Sequence, residues 1–129
     1  MQGKGYVPSA ARCHHCAMPH RNLNVLDAAE QAARQVNALI DRSKQPALLH
    51  VRQLRDSAQS VVANIAEGFG RGTGRDRDRP LEIARGESEE TIRHLNANYQ
   101  ANRISENDYH PMRNRYVVIV KMLNSLLNG

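Results

Sequence analysis

Residues 53–71 read QLRDSAQSVVANIAEGFGR, and their spacing decides the fold. Val51, Leu54, Ala58, Val61 and Ile65 recur at alternating steps of three and four, which sets them along one line of an α-helix. Leu48, Val62 and Phe69 widen that apolar face into a core seam. One position earlier at each turn runs a second line, Gln53, Ser57, Ser60, Asn64, Glu67 and Arg71, rotated by roughly 100° from the first. It is polar but mostly uncharged. A helix face open to water usually collects Lys and Glu, so Ser, Gln and Asn beside an apolar seam suit a closely approached surface, predicted here to be a contact with a second copy. Gly68 is expected to end the helix as its C′ residue, with Gly70, Gly72 and Gly74 keeping the chain loose up to the arginines that follow.

Upstream, residues 1–22 contain Gly3, Gly5, Pro8, Pro19, Lys4, Arg12 and Arg21 without an acid, and read as a flexible basic arm ahead of one domain at 23–129. Helix one is expected to start near Asn24, with Leu26, Ala29, Ala33, Val36 and Ile40 as its line and Leu39 beside it. A short connection through Ser43, Lys44 and Gln45 leads to Pro46 in the first turn of helix two. Downstream, Gly68 to Arg79 read as a Gly- and Arg-rich loop that Pro80 closes by opening helix three. The third line, Leu81, Ala84, Ser88, Ile92, Leu95 and Tyr99, is thinner than the others. Gly86 within it suggests a close helix approach. Ser105 with Asp108 reads as a capping box variant for helix four, with Pro111 predicting a kink or a start delayed to that residue. Met112, Tyr116, Ile119, Leu123 and Leu126 carry the rhythm to the end. Four amphipathic helices joined by short loops predict an all-α, antiparallel up-down-up-down four-helix bundle.

With 129 residues and 40% apolar composition, the chain supports a single core. No apolar run approaches the ~20 residues that span a bilayer, and the N-terminus lacks the apolar block of a secretory signal, so a cytoplasmic, membrane-free protein is expected. The net charge of +5, dominated by arginine, favours an anionic partner. Aromatics at 4% are scattered as Tyr6, Phe69, Tyr99, Tyr109 and Tyr116, which speaks against base stacking as the mode of binding.

Arg71, Arg75, Arg77 and Arg79, together with Arg52 and Arg55 on helix two, are the candidate phosphate-contacting set for RNA or DNA. Asp76 and Asp78 between them offer local neutralisation. Gln53, Ser57, Ser60, Asn64 and Glu67 are the candidate self-association set. Cys13-His14-His15-Cys16 with His20 gives three metal ligands at Cys13, Cys16 and His20, but a structural zinc site takes four and nothing downstream supplies the fourth. The pairs Glu90/His94 and Glu106/His110 are four apart, missing the three-residue spacing of bundle di-iron sites, and are expected on solvated faces. No metal, cofactor or small-molecule substrate is therefore expected. No Gly-rich phosphate motif or nucleophile elbow points to an enzyme.

The run Gln53-Leu54-Arg55 through Asn64-Ile65-Ala66-Glu67-Gly68-Phe69-Gly70-Arg71, with Ile83-Ala84-Arg85-Gly86 and Glu90-Thr91 farther on, resembles the two signatures of the bacterial four-helix-bundle proteins encoded in intervening sequences of ribosomal RNA genes. The chain departs from them at Glu87, where the family commonly has Ser, and in the passage from Ser43 to Leu49. The resemblance implies a four-helix bundle, a five-membered ring in some members, and no established enzymatic activity. The family is also similar in architecture to the pentameric accessory proteins of diversity-generating retroelements, although no motif here assigns the chain to them. Two functions follow as expectations. The first is a non-enzymatic, ring-forming homo-oligomer, with five copies the favoured number, offering arginines to RNA or DNA. The second is a structural or protein-interaction module whose polar stripe serves self-association alone.

Overall fold

A computed structural model describes residues 20–43, 47–72 and 74–128, with side chains from residue 24 onward. The Cys13-His14-His15-Cys16 segment, the His20 side chain and Pro46 lie outside these. The described residues form four helices and no strand: α1 (His20–Arg42), α2 (Val51–Gly70), α3 (Arg75–Gln100) and α4 (Glu106–Asn128). Each packs on two others in closed order, α1 on α2, α2 on α3, α3 on α4 and α4 back on α1.

The three-four lines become the core. Leu26, Ala29, Ala33, Val36 and Leu39 from α1, Leu54, Ala58, Val61 and Ile65 from α2, and Met112, Tyr116, Ile119, Leu123 and Leu126 from α4 are all buried, with Val51 and Ile40 packed at the margin. Each buried aliphatic side chain contributes about 1.5–3 kcal/mol relative to exposure. The α3 line is thin because part of it is polar. Ser88, Thr91 and Asn98 are fully buried there alongside Leu81, Ala84 and Leu95.

These polar groups hold α3 to its neighbour. The Thr91 hydroxyl donates to the Ser57 hydroxyl of α2 at 2.8 Å, and Ser57 donates onward to the Leu54 carbonyl. Asn98 accepts from the Leu49 N–H at 2.6 Å and returns its amide to the Leu49 carbonyl at 3.1 Å and the His94 carbonyl at 2.8 Å. Arg103 donates to the Ala47 carbonyl at 2.7 Å. The passage leading into α2 is thus pinned to the far end of α3, which fixes where α2 begins.

Several expected boundaries move. Helix α1 starts at His20, four residues before Asn24, and α2 starts at Val51, after the left-handed His50 (φ 55°). Helix α2 runs through Gly68 to Gly70, and the C′ position falls to Gly72, whose φ of +93° suits glycine. Gly68 is there for space. A Cβ on it would sit 2.9 Å from the Leu81 side chain and 3.1 Å from the Arg77 carbonyl oxygen. Gly86 is the reverse case, since a Cβ there would meet nothing within 4 Å and no described helix of the protomer approaches it.

Much of the stretch expected as a basic loop is helix, with Arg71, Gly72 and Gly74 the described residues left between α2 and α3. Gly74 (φ 78°) caps α3, its carbonyl accepting from the Arg77 and Asp78 N–H groups, and Asp76 and Asp78 in the first turn complement the helix dipole. Pro80 is the sixth helical residue and buried, not the opening one; its missing N–H leaves the Asp76 carbonyl without its usual helical partner. Helix α4 likewise begins at Glu106, not Pro111, because the Ser105 cap prevails: its hydroxyl accepts from the Asp108 N–H at 3.2 Å.

Tyr116, fully buried in the core, has a hydroxyl with no hydrogen-bond partner, and burial pushes its phenol well above the usual tyrosine range. Tyr116→Phe removes that unpaired group without changing the ring. It is expected to hold or raise stability by up to about 1 kcal/mol in a urea titration, and a loss larger than that would mean the hydroxyl is bonded.

Candidate interaction surfaces

The six arginines do not form one surface. Arg52 and Arg55 lie in the first turns of α2 and Arg71 just beyond its end, so Arg52 and Arg71 stand roughly 28 Å apart at 1.5 Å per residue. Arg55 is committed within the bundle, donating to Asn37 of α1 at 2.9 Å and pairing with Asp41 at 3.3 Å. Arg77 is half-buried. One of its nitrogens donates to the Leu126 carbonyl at the end of α4 at 3.0 Å and contacts Asp78 at 3.4 Å, while its Nε is buried without a partner. It serves as a cap on α4, closing a carbonyl that the last helical turn leaves open.

Arg71 pairs with Glu67 one turn back at 2.9 Å, with both side chains about half exposed, so the pair is weak and exchangeable. Arg75 and Arg79 are exposed and carry no ion pair among the described residues; Arg52 is in the same position at the opposite end. The corner where α2 hands over to α3 therefore gathers three guanidinium groups, from Arg71, Arg75 and Arg79. Two of them project from a capped helical turn whose backbone is fixed, unlike the flexible loop expected from the glycines.

The polar stripe of α2 divides in the same way. Ser57 is buried and spent on Thr91 within the protomer. Asn64 turns back on its own helix, donating to the Ser60 carbonyl at 2.9 Å and to its hydroxyl at 3.0 Å, and both remain half-buried. Gln53 and Glu67 are exposed. Four of the five residues thus face outward or edge the α2–α3 seam.

Other candidates resolve into structure. His94 is not on a solvated face: its side chain is 17% exposed, bonded to Glu90 at 3.3 Å, with the His50 ring 5.5 Å away. No group of three His, Cys, Asp or Glu among the described residues is placed to hold a metal ion. Two tyrosines that look scattered in sequence meet at the α3–α4 corner. Tyr99 and Tyr109 stack with centroids 4.0 Å apart, and His110 lies edge-on to both. Tyr109 is buried and bonded to Asn96, so the stack is a wall of the bundle. Beside it opens a shallow cavity of about 650 Å³ lined by Tyr99, Arg103, Ile104 and Glu106. No described helix is long and apolar enough to cross a membrane.

Sequence reading missed Thr91 and Asn98 as structural anchors. Their signal was present as polar residues on the α3 core line at the same three-four steps as Leu81 and Leu95, a pattern that demands partners across the seam.

The chain matches the family described as 23S rRNA-intervening sequence protein over residues 21–125. Its fold is similar to a crystal structure of a protein with unknown function from the S23 ribosomal protein family of Bacteroides thetaiotaomicron VPI-5482, with a TM-score of 0.76 and 26% identity, covering 84% of this chain and 99% of that one. Among curated proteins no match is found.

Proposed function

The chain belongs to the 23S rRNA-intervening sequence protein family, and from that membership we propose that it is a non-enzymatic, cytoplasmic homo-oligomer that binds RNA or DNA through arginines. The bundle is read as up-down-up-down. The pairing of Leu49 with Asn98, Ser57 with Thr91 and Gly68 with Leu81 supports this, since positions climb along α2 as they descend along α3. The observation that carries the binding role is the exposed corner of Arg71, Arg75 and Arg79. Copies repeated around an axis, five in the reading favoured here, would multiply a modest phosphate contact by avidity. Gln53, Ser60, Asn64 and Glu67 are the part of the α2 stripe left for a neighbouring copy.

A filter-binding titration with random-sequence RNA and duplex DNA across salt tests the binding role. Affinity is expected to fall steeply with salt, and the log–log slope to shrink by about one for each phosphate that goes unneutralised in Arg75→Ala and Arg79→Ala. Arg77→Ala should affect stability more than the slope, because that guanidinium caps α4. Absence of binding at low salt would sink the nucleic-acid reading and leave a self-associating structural module, which the polar stripe alone supports.

A further inference from the structure

Among the described residues two large apolar side chains are left well exposed, Ile83 on α3 at 41% and Val118 on α4 at 46%. Their surroundings carry opposite charge. Ile83 shares its outer line with Glu87 and Glu90, four and seven residues on, and exposed Glu82 and Glu89 flank it, against two cations, Arg79 a turn before and Arg93 three residues beyond Glu90. Burial, and after it the nearby Glu90, hold the Glu87 carboxyl above its usual range against the opposing pull of His94. Val118 is flanked three residues either side by Arg115 and Lys121, and no acid follows Asp108 in α4.

Gly86 adds a shape to this. It is exposed in the interior of α3, a position where glycine costs about 1 kcal/mol against alanine, and nothing described in the protomer occupies the space its missing Cβ leaves. Lying one turn from Ile83, it makes a recess in the acidic patch. Because Leu81 lies against Gly68 and Thr91 bonds Ser57 farther along, Ile83, two residues after Leu81, falls level with the Glu67 end of the outward α2 stripe.

We propose that the patch around Ile83 and Gly86 receives the patch around Val118 of a second copy, in a head-to-tail contact. This rests on the self-association reading and names its two surfaces. Each patch fits the other and not itself: α3 against α3 would oppose Glu87 and Glu90 with their own charges, and α4 against α4 would oppose Arg115 and Lys121 with theirs. A contact between two different surfaces on one chain repeats, closing into a ring or running on as a filament.

Charge exchange tests it by sedimentation velocity at micromolar full-length protein. Ile83→Arg places a cation opposite Arg115 and Lys121, and Val118→Glu an acid opposite Glu87 and Glu90. Each alone is expected to weaken association by about 100-fold, whereas the double variant, with opposite charges now facing, recovers at least about tenfold. Glu90→Lys with Lys121→Glu repeats the exchange without touching the apolar pair, and far-UV circular dichroism confirms that the helices persist. An assembly that survives both single changes, yields to only one of them, or is not recovered in either double variant overturns the head-to-tail assignment. A wild-type chain that is monomeric in the same run overturns the self-association reading beneath it instead.

Discussion

Replacing Asn98 by Leu is expected to destabilise the protomer by about 3 kcal/mol, the largest loss of any single polar substitution in the bundle. Asn98 is 0% exposed and makes three hydrogen bonds, two of them to the backbone of Leu49. Leucine fills nearly the same volume, so little of the effect comes from a cavity. What disappears is the partner of a part-buried N–H and of its carbonyl, each costing about 1–3 kcal/mol when left unmade. Among the described residues the one side-chain hydrogen bond then left between the passage into α2 and the end of α3 is that of Arg103, an exposed contact worth little. Urea denaturation followed by circular dichroism should show the midpoint falling with the slope unchanged. A loss under about 1 kcal/mol would mean that the Leu49 groups find water and that the amide is no anchor. Asn98→Asp should be worse still at neutral pH, since it keeps the acceptor, discards both donors and buries a charge.

The second large effect is expected at Gly68. A Cβ there lands 2.9 Å from the Leu81 side chain and 3.1 Å from the Arg77 carbonyl oxygen, and backbone cannot rotate away as a side chain can. Gly68→Val should therefore cost about 3 kcal/mol, the upper part of the range for overpacking, by prising the start of α3 away from α2. Gly86→Ala gives the contrast. With open space around it and a mid-helix position, it should stabilise the isolated protomer by about 0.5–1 kcal/mol. Equal effects at the two glycines in thermal unfolding would contradict the close approach at Gly68. The arginine corner depends on that approach, because Arg75 and Arg79 ride on the helical turn that Gly68 admits.

The helices and the core were legible because burial follows a period. Steps of three and four identify Leu54, Ala58, Val61 and Ile65, or Met112, Tyr116, Ile119 and Leu123, without reference to anything outside the helix. What depended on a distant neighbour was not legible. Gly68 and Gly86 look alike in sequence, yet one is enforced by Leu81 and the other faces empty space within the protomer. Thr91 and Asn98 answer Ser57 and Leu49, 34 and 49 residues away, and only the packing of α2 on α3 reveals them. Pro80 misled for a local reason. Proline is commonest at the first helical position, but here the cap at Gly74 starts the helix five residues earlier, whereas the Ser105 cap read from the sequence does start α4, five residues before Pro111.

The arginines show the same limit at the surface. Six guanidinium groups on two neighbouring segments suggested one basic face. The fold spends Arg55 on Asn37 and Asp41 and Arg77 on Leu126, and leaves Arg52 at the other end of α2 from Arg71. Charge counting alone could not separate a residue that caps a helix from one that waits for phosphate.

Everything proposed for function turns on whether another copy of the chain covers the outward part of the α2 stripe and the α3 line beside it. Light scattering coupled to size exclusion at micromolar concentration measures this directly. The predicted result is a particle several times 14.5 kDa, with five copies the expected number. A lone 14.5 kDa species that persists as concentration rises would contradict it.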